Sequence, residues 1–395
     1  GRRPRGEVMK RAALALLLST VWSATAWANE DFLAKESFEV KQVAGAVPLT
    51  LDDKVWAAQG AGAVKVHAQR TIRLNDLNAN AHAAKRSSWT IHVKAVHNGK
   101  DLAVLLEWAD GTRDLFRTDE TDSFGDSVAI EFPVKFGAGQ RLPYVGMGDE
   151  GSPVYLYMHR ATDKPNVILT REMVAAGFAS STRADVGGVK GTMAYDGKAK
   201  VWRALFVRPL DVNGQSLKAG VVPFALAAWD GGRNERGGNK ALSKWKFMRL
   251  AGFKVDPAYV NELAWGHGAT VDLVKGKALV EGVCVACHRI GDKQNALESF
   301  APDLTHVGVI STPSYLRDSV MDPSAVVVPS YNFNRHYARA GTPDAYGAYP
   351  NNDTYKWYTL DAAGKKVSRM PAFAHLTPED VVNIVGYLGS MEVAP

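Results

Sequence analysis

At 395 residues the chain is long enough for about two domains, each able to bury its own core. A hydrophobic content of 46% with 22% charged residues is that of an ordinary folded protein and excludes a disordered chain. The net charge of +6 falls to +2 without residues 1–28, which hold five Lys/Arg and one Glu, so the basic balance makes no case for a nucleic-acid or lipid-surface partner.

Met9-Lys10-Arg11, the apolar run 12–18 and Ala26-Trp27-Ala28 supply the charged start, short apolar core and small-x-small cleavage site of a signal peptide. The mature chain would then begin at Asn29, exported to the periplasm. The apolar run is short of the ~20 residues that span a bilayer, and nothing later is long and apolar enough, so the mature chain is expected to have no membrane span.

Residues 29–250 carry short alternating runs separated by Gly, Asp and Asn, the pattern of strands and turns. Trp89–Val96, the turn His97-Asn98-Gly99-Lys100 and Asp101–Trp108 form a hairpin. Ser127–Phe132, Pro153–Met158, Lys200–Val207 and Val221–Trp229 continue the series. Many short strands with few helical stretches imply an antiparallel β-sandwich. Periodicity alone leaves a sugar-binding module open.

Residues 251–267 are expected to be a linker, because Gly252–Trp265 shows neither alternation nor a helical pattern. A C-terminal domain over 268–395 follows, opening with a helix across Val271–Gly282 in which Leu273, Ala278 and Leu279 supply the packing face. This helix runs into Cys284-Val285-Ala286-Cys287-His288. Two thiols three positions apart can each add to a vinyl group of a haem, with the adjacent histidine held under the iron. Half a zinc site and a thioredoxin-like dithiol are the competing readings. Cys284 and Cys287 are the only cysteines, so no second pair completes a zinc tetrad, and no βαβ pattern surrounds them. Ser314–Pro323 is expected as a middle helix, with Met321 in the core. A last helix begins at Thr377-Pro378 with the apolar stripe Val381, Val382, Ile384, Val385 and Leu388.

Two resemblances extend this reading. The segment from Cys284 onward resembles class I cytochrome c, an all-α fold. That resemblance implies one covalent haem c on Cys284 and Cys287, His288 and Met370 as iron ligands, and the Pro302 carbonyl holding the ring N–H of His288. Met370 lies in the loop Arg369-Met370-Pro371; His306, His336 and His375 are the alternatives. In the N-terminal domain, Val55-Trp56, Leu105–Asp110, Gly125–Pro133, Met147–Val154 and Ala228–Arg236 occur in order. Together they resemble the gamma subunit of ethylbenzene dehydrogenase and its relatives, in the type II branch of the dimethyl sulfoxide reductase superfamily. By that resemblance a non-covalent haem b is ligated by Met147, before the Gly-Asp-x-x-x-Pro-Val segment, and by Lys240, after Trp-Asp-Gly. Met158, His159 and Lys244 compete for these roles, and His67, His82, His92 and His97 are read as surface residues.

The expectation is an electron-transfer subunit without a catalytic site, since no nucleophile–base pair, carboxylate pair or phosphate-binding Gly loop is present. The resemblance implies an iron–sulfur subunit and a molybdenum catalytic subunit as partners, with an external cytochrome or oxidase beyond them. Cytochrome-fused gamma subunits look like those of periplasmic nitrite oxidoreductases, which favours nitrite or nitrate over chlorate, selenate, dimethyl sulfide or ethylbenzene. A binding sandwich with a single haem c and a free-standing dihaem carrier are the other functions considered.

Overall fold

The computed structural model describes residues 29–69, 88–164, 167–177, 180–185, 187–293, 301–327 and 358–391. The signal-peptide segment, His82, His336 and residues 329–357 of the Tyr/Asn/Gly-rich stretch lie outside the described residues.

The strands in chain order are β1 Ser37–Gln42, β2 Gly62–Ala68, β3 Ser88–His97, β4 Asp101–Ala109, β5 Ser127–Pro133, β6 Val154–Ala161, β7 Ile168–Ala175, β8 Thr182–Arg183, β9 Lys190–Asp196 and β10 Val201–Pro209. A small hairpin of β11 Asp211–Val212 and β12 Gln215–Ser216 precedes β13 Val222–Trp229, β14 Ala241–Leu242 and β15 Lys246–Leu250. The main path runs β8-β7-β6-β5-β13-β14-β2-β3-β4-β10-β9, and β15 pairs with β13 and β1. The pairing along that path is antiparallel, as the hairpin-rich sequence implies. The exception is β1, which lies parallel to both β15 and β3. Ile91, Leu106 and Phe206 from one arm share a core with Ile130, Tyr157 and Leu226 from the other, so the sheet bends into two facing layers. Alternation explains it: each strand turns every second residue inward.

β5, β6 and β13 are buried on their other face as well. Ala129, Leu156, Met158, Ala225 and Ala227 pack there against Leu142, Val145, Trp245 and a helix at Pro257–Leu263. This burial on both sides is why these strands read as continuous apolar runs. The Pro257–Leu263 helix falls in the stretch expected to be linker. It is short, and its signal is a cap rather than a period: the Asp256 carboxylate accepts from Ala258 N at 2.9 Å and Pro257 takes the first position. His97, expected at the surface, is fully buried and its ring lies 5.3 Å from that of Phe253.

Beyond it come helices at Leu273–Val283, Val307–Ile310, Pro313–Met321 and Pro378–Ser390, with a hairpin of β16 Tyr358–Leu360 and β17 Lys366–Ser368. The first and last of these helices cross where Gly276 meets Asn383. A Cβ on Gly276 would stand 2.2 Å from the Asn383 carbonyl oxygen. The buried face is therefore Gly276 and Val280, while Leu273 and Ala278 point to solvent, because the helix turns its smallest residue toward its neighbour. Asn383 also accepts from Asp272 N at 2.8 Å, which ties the start of the first helix to the last. Met321, expected in the core, is exposed at the end of its helix, and Leu316 and Val320 pack inward instead. Gly276→Ala is expected to destabilise the C-terminal domain by about 2 kcal/mol through overpacking, read as an earlier midpoint in chemical denaturation. Among the described residues no helix is long and apolar enough to cross a membrane.

Candidate functional site

In the C-terminal domain, the Leu273–Val283 helix gives way to a single tight turn at Cys284–Ala286. Cys287 N and His288 N both donate to the Cys284 carbonyl, at 3.1 and 2.9 Å. The turn sets both thiols and the imidazole along one wall of a cavity of about 350 Å³. Pro302 and Met370 line the same cavity, with Leu304, Val307, Leu316, Val320 and Phe373 supplying apolar surface. All five residues singled out in this domain are thus brought together. Met370 is held by its own N–H to Ser368 Oγ at 3.1 Å, and Phe373 N donates to the Val320 carbonyl at 3.2 Å.

The electrostatics of this cavity suit haem better than zinc or dithiol exchange. Burial and the neighbouring Cys287 push the Cys284 thiol up to about 11, so it is protonated at neutral pH. A redox-active or metal-binding cysteine needs the opposite shift. His288 is buried, and burial lowers its pKa, which favours the neutral ring. Its Nδ1 lies 2.7 Å from the Pro302 carbonyl oxygen, so Nδ1 carries the proton and Nε2 keeps a lone pair for a metal. Among the alternatives, His375 is exposed beside Phe373. His306 precedes the Val307–Ile310 helix as its N-cap and is not among the residues lining the cavity.

In the N-terminal domain the relevant surface is the outer face of β5 and β13. Ala227, Ala129 and Met158 sit side by side across three strands, the two alanines leaving a shallow apolar surface beside the longer Met158. Lys240 is buried just before β14, its backbone carbonyl accepting from Gln69 N at 2.8 Å and its Nζ 5.5 Å from the centre of the Trp229 ring. Burial drives its pKa down, and the neighbouring Glu131 carboxyl works against that. Glu131, at the middle of β5, is likewise buried; burial drives its pKa up against the pull of Lys240, and neither carboxylate oxygen has a hydrogen-bond partner. Both groups are thus moved toward their neutral forms, and a lysine can ligate iron only when neutral.

Met147 packs on the same apolar surface as Ala129, Ala227 and Trp229. Its φ of 80° is unusual for a residue with a side chain. The conformation is held from both sides: Gly148 N donates to the Tyr144 carbonyl at 2.8 Å, and Gly177 N donates to the Met147 carbonyl at 2.9 Å. Met147 and Lys240 therefore border one apolar surface, though no described cavity is lined by both. Two competitors are removed. Both ring nitrogens of His159 are engaged, with the Leu205 carbonyl at 2.9 Å and Thr170 Oγ1 at 3.0 Å. Lys244 is paired with Glu36 at 3.3 Å. Met158 is buried on the same face and stays available.

The Gly-Asp and Trp-Asp-Gly motifs have a structural part in this. Asp126 accepts from Asp114 N at 2.8 Å, Trp202 Nε1 at 2.9 Å and Gly231 N at 2.9 Å. A Cβ on Gly231 would fall 1.8 Å from the Phe124 carbonyl oxygen, so only glycine allows the approach. The knot fixes the end of β13, and with it Trp229, beside Lys240.

Residues 21–198 match the family model described as Ethylbenzene dehydrogenase, and residues 273–392 match Cytochrome c. The chain joins an ethylbenzene dehydrogenase-family domain to a cytochrome c domain. The chain is 34% identical over 162 residues to chlorate reductase subunit gamma of Ideonella dechloratans, covering 40% of this chain and 63% of that protein. It is 31% identical over 168 residues to dimethylsulfide dehydrogenase subunit gamma of Rhodovulum sulfidophilum, covering 40% and 59%. A protein of Haloferax mediterranei described as a respiratory nitrate reductase haem subunit is 29% identical over 186 residues, covering 46% and 63%. The chain thus spans less than two thirds of the length of these relatives. The cytochrome c domain implies a covalent haem, and the relatives are named as gamma or haem subunits rather than catalytic ones.

Proposed function

We propose that this protein is an exported dihaem electron carrier and the gamma subunit of a molybdenum oxidoreductase. Cys284 and Cys287 would hold haem c by thioether bonds, with His288 and Met370 as its iron ligands. Met147 and Lys240 hold haem b. Each haem would supply a one-electron couple, and the chain's own residues would bind it, exclude water from it and tune its potential. His288 keeps its tautomer through Pro302. Burial pushes Lys240 toward the neutral amine that could bind iron, against the pull of Glu131.

The observation that carries this reading is the single cavity lined by Cys284, Cys287, His288, Pro302 and Met370. The chain would carry electrons between an iron–sulfur subunit and an external cytochrome or oxidase, with the Met147/Lys240 site toward the subunit and the His288/Met370 site toward the exit. Nitrite or nitrate is the favoured substrate, with chlorate, selenate, dimethyl sulfide or ethylbenzene the alternatives for the catalytic partner.

Native purification tests the partners and the substrate together. The protein is expected to co-purify with molybdenum- and iron–sulfur-containing chains. Nitrite should then reduce the haem bands of the complex, or nitrate reoxidise them, where the other substrates do not. Purification as a free chain, with no metal-containing partner at any salt concentration, would refute the assignment.

A further inference from the structure

Tyr144 belongs to the N-terminal domain, yet its side chain forms part of the wall of the haem c cavity, together with Cys284, His288 and Met370. It is buried, and its ring centre lies 5.8 Å from that of Tyr315, which lines the same cavity. Burial, the Tyr315 phenol and the Glu131 carboxyl all hold the proton on its oxygen, and Glu131 is the group beside Lys240. Tyr144 also lies three residues before Met147, so a wall of the haem c cavity and a candidate haem b ligand belong to one short segment.

Its main chain leads to the same place. Tyr144 and Gly148 are the first and last residues of a five-residue turn closed by one backbone hydrogen bond, and Met147 lies inside it. The Tyr144 carbonyl accepts from Gly148 N at 2.8 Å, and Tyr144 N donates to the Asp149 carboxylate at 3.0 Å. Asp149 is in turn gripped by Arg141 at 2.9 Å. Across the domain boundary Lys366 pairs with Glu150 at 3.2 Å, close to Met370 in sequence. The turn is thus held within its own domain, while the Tyr144–Tyr315 rings and the Lys366–Glu150 pair reach across to the other.

We propose that Tyr144 is a shared wall between the two haem sites: it seals the haem c cavity from the N-terminal side and joins it to Met147 as the path for inter-haem electron transfer. The second half of this statement rests on the assignment of Met147 as a haem b ligand. One electron is exchanged, so a ferrous iron at one site becomes ferric as a ferric iron at the other becomes ferrous. Tyr144 itself is neither oxidised nor deprotonated. Its ring excludes water from the haem c edge, which favours the ferrous state there, and its contacts shorten the gap the electron must cross.

The test uses the full-length protein loaded with haem, as wild type, Tyr144→Ala, Tyr144→Leu and Tyr144→Phe, with haem content checked by pyridine haemochrome. The haem c midpoint is read by redox titration, and the rate of b-to-c equilibration by flash reduction. In Tyr144→Ala the haem c midpoint is expected to move to lower potential and the rate to fall several-fold, with both haems retained. Tyr144→Leu, which keeps apolar bulk, holds the midpoint closer to wild type but stays slow, and it serves alone if the alanine variant does not fold. Tyr144→Phe matches wild type in both. A variant lacking the ring that keeps the wild-type rate overturns the path, and an alanine variant with an unshifted midpoint overturns the wall. A wild type without haem b would count against the Met147/Lys240 assignment and leave the haem c midpoint to decide the wall.

Discussion

Lys240→Ala is expected to yield protein that keeps haem c and loses haem b, with extractable haem falling to about a tenth or less of wild type, the scale of affinity loss seen when a metal site loses a supporting group. The substitution removes the amine that burial drives toward its neutral form. It leaves Glu131 in a buried position, where breaking an ion pair would cost about 3–5 kcal/mol. Burial already drives Glu131 toward its neutral acid, which reduces that cost and lets the fold survive. Haem spectra with circular dichroism as a folding control check the prediction. Unchanged haem b in a folded Lys240→Ala protein would move the ligand role elsewhere, and the buried Met158 on the same face would be the next residue to test.

Met370→Ala has an expected effect of similar size at the other site. The haem stays attached, because Cys284 and Cys287 are untouched, but one face of the iron loses its thioether. Thioether ligation favours the ferrous state, so the haem c midpoint should fall by at least about 59 mV, the size of a tenfold change for a one-electron couple. A new high-spin signal and binding of small external ligands such as imidazole accompany it. His375→Ala, at an exposed position, should leave the midpoint unchanged. The opposite pattern, with His375 setting the potential and Met370 silent, would exchange the two roles.

The sequence made some parts of this architecture plain because they depend on local chemistry. Strand alternation needs only a period of two, so the hairpin of β3 and β4 and the buried strands β5, β10 and β13 were legible. Cys284, Cys287 and His288 sit in one turn, so their spacing in sequence is their spacing in space. The parts that escaped depend on contacts between distant segments. Leu273 and Ala278 belong to a helical stripe by period, but the helix rotates to bring Gly276 against Asn383. Met321 has the composition of a core residue and ends exposed, because its helix stops there. His97 looks like a turn residue, yet it is covered by Phe253 from more than 150 positions away in the chain.

At the candidate sites the same division holds. Nothing around Tyr144 marks it as part of the cytochrome cavity, since the contact exists only once the two domains are packed. Glu131 did leave a signal: a carboxylate within the mostly apolar run Ser127–Pro133, every residue of which is buried, has to be neutral or paired, and its neighbour in the structure is a buried lysine. A charge placed where a strand should have none was the clue to the second site, as informative there as the cysteine pair is at the first.

The central claim is that two chemically different haems share one chain. The pyridine haemochrome spectrum of the mature protein, recorded before and after acid–acetone extraction, tests it most directly. One extractable haem b and one retained haem c per chain is the expected result. A single retained haem c, from protein matured with haem in ample supply, would contradict the account and leave the N-terminal domain without its cofactor.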